Sequence, residues 1–217
     1  MERLRLSGRS RDDVLRVGLL GGSFDPPHIG HLLLAEEARD QLGLSEVRLA
    51  PAGRPPHKLE LDMTPVADRV RMTELAIADN PSFRLSRVDA DRPGPHYTID
   101  MVKLVRDQLP PDAELYFLMG FDSLRDLPKW REPAQLIRAA HLVALTRPDI
   151  PIRWESLEEQ LPGVRERVTL LDMPELEIAS RDLRERVRKG RSIRYMVTEP
   201  VRMYIEERGL YRSGAGR

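Results

Sequence analysis

Two histidines three residues apart, His28 and His31, lie in the run Gly21-Gly22-Ser23-Phe24-Asp25-Pro26-Pro27-His28-Ile29-Gly30-His31. An apolar segment at 14–20 precedes the run, and the helical pattern Leu32-Leu33-Leu34-Ala35-Glu36-Glu37-Ala38 follows it. A strand, a glycine turn and a helix start make a phosphate cradle, because backbone N–H groups and the positive helix end face the ligand. Imidazoles at i and i+3 share one face of the first helical turn. Gly21 and Gly22 allow close backbone approach, and Pro26 and Pro27 stiffen the loop. Three readings compete. One is an ordinary turn with surface histidines. A second is a zinc or iron site of Asp25, His28 and His31, with His57 as a further ligand. The third, the phosphate cradle, accounts for more: glycines, prolines and histidines coincide at one strand end, and a helix N-terminus favours anions over cations.

Elements must hold these residues in place. Short apolar runs predict strands at 14–20, 47–50, 83–86, 115–119, 141–145 and 168–171. Helical patterns fall at 29–42, 65–78, 99–108, 134–139, 181–189 and 200–208, with Gly209 ending the last. Alternating strands and helices with near-continuous apolar strands imply an α/β fold. The expected form is a Rossmann-like, doubly wound parallel sheet with helices on both faces and a small helical C-terminal part from about residue 179. Ligands of such sheets bind beyond the carboxyl ends of strands, near the switch point. Residues 1–13 carry Arg3, Arg5, Arg9 and Arg11 with little apolar content, and read as a mobile extension. Residues 14–212 form a single domain on this reading.

Composition removes several function classes. The 217 residues include 35 basic and 35 acidic side chains, a balance that argues against a general nucleic-acid binder. There is no cysteine, so no disulfide, thiolate metal site or cysteine nucleophile. No apolar run approaches the roughly 18–20 residues that span a membrane. The charged start of the chain lacks a signal core, and cytoplasmic residence is the expectation.

Further along, other residues suit a nucleotide. Lys58 follows Pro55-Pro56-His57 in a stiff loop after a strand, a position for phosphate. Asp122 follows Gly120 at a strand end, placed for a ribose hydroxyl or as a helix cap. Thr98 is expected to cap the helix that follows it, whose first amides favour a carboxylate over a carboxamide. Ser180 is expected to cap the helix from Arg181, and Arg184 lies one turn on. Arg186, Arg188, Lys189 and Arg191 read as a solvated basic face. Trp130 suits core packing or stacking on an aromatic base.

From about residue 16 to 212 the chain resembles the nucleotidyltransferase superfamily that carries His-x-Gly-His after the first strand. Within it, Gly21-Gly22-Ser23-Phe24-Asp25-Pro26-x-His28-x-Gly30-His31 is similar to the bacterial nicotinate-nucleotide adenylyltransferase family. Pro55-Pro56-His57-Lys58, Tyr97-Thr98, Gly120-Phe121-Asp122-Ser123 with Trp130, Thr146-Arg147-Pro148 and Ile178-Ala179-Ser180-Arg181-Asp182-Leu183-Arg184 resemble that family's other segments. The last one departs from the pattern: a Ser-Ser-Thr stretch reads Ala179-Ser180-Arg181 here, which trades one hydroxyl for a methyl and another for a guanidinium.

The resemblance implies adenylyl transfer from ATP to nicotinate mononucleotide, giving nicotinate adenine dinucleotide and pyrophosphate in NAD biosynthesis. It implies His31 and His28 as catalytic residues. It gives ATP contacts to Gly21, Gly22, Ser23, Phe24, Gly30, Asp122, Ser180, Arg181 and Arg184, and a phosphate contact to Lys58. The mononucleotide falls to Asp25, Tyr97, Thr98 and Trp130, where the resemblance favours stacking for the tryptophan. Mg²⁺ would arrive with ATP rather than in a protein cage. Nicotinamide mononucleotide or phosphopantetheine as acceptor, a non-enzymatic nucleotide binder and a metal-dependent hydrolase are the alternatives. Whether the chain forms a homo-oligomer stays open.

Overall fold

The computed structural model describes residues 14–54, 63–145, 151–174 and 176–212. The predicted extension at 1–13, the loop with His57 and Lys58, and Thr146-Arg147-Pro148 lie outside them.

Apolar strand residues build one six-stranded sheet: β1 (Arg16–Gly22), β2 (Glu46–Pro51), β3 (Phe83–Leu85), β4 (Glu114–Met119), β5 (His141–Leu145) and β6 (Val168–Leu171). The order is β3-β2-β1-β4-β5-β6, and every pairing is parallel. Alternation along each strand sends side chains to two cores. Val17, Leu19, Leu115, Phe117, Leu142 and Ala144 face one side, packed with Ile99, Val102, Leu124, Leu136 and Leu157. These come from α3 (Thr98–Asp107), α4 (Phe121–Asp126), α5 (Pro133–Ala139) and α6 (Trp154–Gln160). Leu20, Val47, Leu49, Leu118 and Val143 face the other side, against Leu34, Met72, Leu183 and Val201. Those belong to α1 (Ile29–Leu42), α2 (Val66–Ala76), α7 (Ser180–Arg188) and α8 (Glu199–Glu207). The C-terminal helices thus share a core with α1 and α2. The doubly wound architecture is the expected one, and its switch point falls between β1 and β4.

Several local expectations are corrected. Helices α4 and α6 were not foreseen. Helix α4 is six residues cut off by Pro128, and α6 buries only Leu157 of its seven, so neither shows a helical period. The expected caps shift by one or two residues. Ala179, with extended backbone, precedes α7, so Ser180 is the first helical residue and its hydroxyl goes elsewhere. Tyr97 likewise precedes α3 in place of Thr98, and Gly120 precedes α4, which puts Asp122 inside its first turn.

Candidate active site

The turn after β1 is shaped by close contacts. A Cβ on Gly21 would stand 2.6 Å from Met101 Cε, and one on Gly22 3.1 Å from the Phe24 ring. Phe24 takes φ +48° and buries its ring under the turn. That ring meets His31 edge-on at 5.0 Å. His28 and His31 stack, with centroids 3.7 Å apart. His31 Nδ1 accepts the His28 backbone N–H at 3.1 Å. An accepting Nδ1 fixes the neutral tautomer, so the proton sits on Nε2. His28 is 8% exposed, and burial lowers its pKa to about 4. It is therefore a neutral imidazole near pH 7, and its buried Nδ1 has no hydrogen-bond partner among the described residues.

The loop from Ser23 to Pro27 is held by side chains from distant parts of the chain. Ser180 Oγ donates to the Pro26 carbonyl at 2.8 Å. Arg184 Nη1 donates to the Asp25 carbonyl at 2.7 Å. The Asp25 carboxylate accepts the Tyr211 hydroxyl at 2.7 Å and the Thr64 N–H at 3.3 Å. Burial and the Asp25 carboxylate both push the Tyr211 phenol upward, so it remains a donor. Arg69 is 1% exposed and donates to the carbonyls of Ser23, Ala52, Gly53 and Thr64 at 2.6–2.9 Å. Burial lowers its pKa, and the nearby Asp25 and Asp89 carboxylates offset only part of that.

Two cavities meet across this turn. One, of about 660 Å³, is lined by Gly21, Ser23, His28, Gly30 and His31, and by Ser180, Arg181 and Arg184 from α7. Phe24 and Asp25 also line it. The second, of about 670 Å³, is lined by Gly22, Tyr97, Thr98, Met101 and Arg131. Gly21, Ser23, Phe117, Asp122, Ser123 and Trp130 border both. Both open at the carboxyl ends of β1 and β4.

The sequence-predicted residues divide accordingly. His28, His31, Ser180, Arg181 and Arg184 gather around the first cavity, although Ser180 and Arg184 also hold the loop. Arg181 is 83% exposed and pairs with Asp182 at 3.3 Å. Tyr97, Thr98 and Trp130 line the second. Asp25, expected beside them, instead lines the first cavity, where its two carboxylate oxygens already accept hydrogen bonds from Tyr211 and Thr64. Trp130 is half-buried, edge-on to Phe117 at 6.1 Å, so core packing and cavity lining both hold. Arg131 stacks over the Tyr97 ring at 4.7 Å.

Sequence reasoning missed Arg69, Tyr211 and His96. His96 accepts the Arg54 N–H on Nδ1 at 2.9 Å and donates from Nε2 to the Arg92 carbonyl at 3.0 Å. It braces the loop after β2 from behind. Glycines, prolines and histidines mark the turn in the sequence, whereas Arg69 and His96 act on backbone groups, and Tyr211 on the Asp25 carboxylate, across distances that leave no local pattern.

The comparisons with known proteins agree with this fold. A cytidylyltransferase-like family model matches residues 19–186. A probable nicotinate-nucleotide adenylyltransferase of Thermomicrobium roseum is 47% identical over 198 residues, 91% of this chain and 92% of that one. One from Thermus thermophilus is 45% identical, covering 91% of this chain and all of its own length. The solved Plasmodium falciparum nicotinic acid mononucleotide adenylyltransferase complexed with NaAD has a TM-score of 0.73 at 20% identity, over 91% and 97% of the two chains, a likeness of fold. The chain belongs to the cytidylyltransferase-like nucleotidyltransferases and, among them, to the nicotinate-nucleotide adenylyltransferase family.

Proposed function

We propose that the two cavities divide the substrates of adenylyl transfer. ATP occupies the one beside His28, His31 and α7, and nicotinate mononucleotide the one beside Tyr97, Thr98 and Trp130. As a member of its family the protein is an enzyme of NAD biosynthesis that converts these two into nicotinate adenine dinucleotide and pyrophosphate. A phosphate oxygen of the mononucleotide forms a bond to the α-phosphorus of ATP, and the bond from that phosphorus to the bridging oxygen of pyrophosphate breaks. The attacking monoester has a second pKa of about 6 and is already anionic near neutrality, so no general base is needed. The task is alignment of two polyanions and offset of their repulsion.

The observation that carries this reading is the His31 tautomer. Its Nδ1 accepts the His28 amide, so Nε2–H is a donor at the rim of the cavity. In this role it hydrogen-bonds the α-phosphate most strongly as charge builds in the transition state. His28, neutral and stacked on it, contributes a dipole rather than a charge. Arg184 and Arg181 supply positive charge toward the phosphates. The first amides of α3, after Tyr97, suit the nicotinate carboxylate. Among the described residues no three carboxylate or imidazole side chains converge as a metal site. Mg²⁺ arriving with ATP would be held by ATP oxygens and water and would offset triphosphate charge.

Pyrophosphate release with ATP and each acceptor in parallel tests the reading. Release with nicotinate mononucleotide should exceed that with nicotinamide mononucleotide or phosphopantetheine. His31→Ala should lower kcat by about 100-fold or more, in the range for a lost transition-state donor, with KM little changed. No release with nicotinate mononucleotide, or a His31→Ala enzyme of normal kcat, refutes it.

A further inference from the structure

Loops at the ends of parallel strands ordinarily give their carbonyls to water. The loop at 23–27 gives three of them to side chains: Ser23 to Arg69, Asp25 to Arg184 and Pro26 to Ser180. Two of the residues around this loop, Arg69 and Tyr211, line neither cavity. Arg69 lies on α2, fully buried, and spends four N–H groups on the carbonyls of Ser23, Ala52, Gly53 and Thr64. Tyr211 lies beyond α8 and donates its hydroxyl to Asp25 Oδ1. Thr64 closes a ring of contacts, because its N–H binds Asp25 while its carbonyl accepts from Arg69. The loop after β1 and the loop after β2 are thereby fixed to each other and to the C-terminal segment. Phe24, inside the ring, presses edge-on against His31, and His28 follows two residues after Pro26.

We propose that Arg69 and Tyr211 are positioning residues for adenylyl transfer, which set the place of the stacked His28–His31 pair by clamping the loop at 23–27 through Asp25, Ser23 and Thr64. A planar fork with several fixed donors holds backbone carbonyls in a way that a lysine point charge does not. The inference rests on the reading of His31 as the transition-state donor.

Tyr211→Phe tests it, since the ring stays and one hydroxyl goes. Displacement of a reacting group by a fraction of an ångström acts on turnover, so kcat should fall about tenfold while KM for both substrates stays within about twofold. A histidine labelled with ¹³C at Cε1 gives a second readout. The His28 and His31 signals should move, while His141, at the opposite end of β5, stays in place. Wild-type kcat together with unmoved signals overturns the proposal. So does a loss that tracks only the folded fraction while the signals hold still. Arg69→Lys should show the same kcat loss, and wild-type turnover there removes Arg69 from the proposal. If that variant does not fold, Tyr211→Phe decides. Should the wild-type protein release no pyrophosphate, the functional reading falls, and the histidine signals alone then judge the clamp.

Discussion

His28 shows how one residue's environment sets its role. Burial holds its pKa near 4, against about 6.5 in an unfolded chain. The folded state therefore resists a proton that the unfolded state accepts. Above pH 6.5 both states are neutral and the group contributes nothing to the pH dependence. As pH falls from 6.5 to 4 the unfolded state gains the proton first, and stability drops by about 3 kcal/mol. His28→Gln should flatten this part of the profile. Urea midpoints of both proteins between pH 7.5 and 4.5 measure it, and parallel profiles would show that His28 is not the group. Residue by residue, the sequence made His28 and His31 legible because their spacing, the glycines and the prolines coincide. Arg69 was not legible. Within Val66-Ala67-Asp68-Arg69-Val70-Arg71 it reads as one more solvated helix charge, and its partners are carbonyls 5 to 46 residues away. Tyr211 was hidden for the same reason, 186 residues from Asp25.

At the level of elements, apolar runs marked every strand and most helices, the seven-residue α5 included, whereas α4 and α6 carry no apolar pattern of their own. Helix α1 runs from Ile29 to Leu42 as its pattern requires, and Gly43 ends it at φ +61° with its N–H on the carbonyls of Arg39 and Asp40. Helix α4 begins where strand β4 stops, with no pattern long enough to announce it. Ser180 is not the cap because the helix already includes it: Ala179 holds the extended position before α7, and the Ser180 hydroxyl points to the loop, where it donates to the Pro26 carbonyl. Loop packing adds a constraint that composition hides. A Cβ on Gly53 would lie 2.2 Å from His96 Nε2, and both nitrogens of that buried ring are hydrogen-bonded. The ring cannot retreat without loss of a bond. Gly53→Ala should cost about 1–3 kcal/mol, the range for overpacking. Gly120→Ala, whose Cβ would meet nothing within 4 Å, should change stability by less than about 1 kcal/mol. Equal urea midpoints for the two variants would contradict the packing argument.

The whole molecule explains why the site has two rooms. Strand order reverses between β1 and β4, so the connection after β1 leaves toward α1 on one face and that after β4 toward α4 on the other. The crevice between them is open at the carboxyl ends of both strands. The face with α1 and α7 brings two histidines and arginines, suited to a triphosphate. The opposite face brings α3, Tyr97 and Trp130, suited to a flat ring and a carboxylate. Trp130 stands where the two meet, lining both cavities while its other edge rests on Phe117. The reading that its ring stacks on the nicotinate ring, rather than the shared lining, predicts unequal effects on the two substrates. A base stacked on an aromatic side chain gains about 1–3 kcal/mol, so Trp130→Ala should raise KM for nicotinate mononucleotide by about tenfold and that for ATP by less than about threefold. Trp130→Phe keeps a ring face and should recover most of the loss. Steady-state kinetics with each substrate varied in turn decide the matter: equal increases in the two KM values would mean that the tryptophan shapes the crevice as a whole rather than stacking on one occupant.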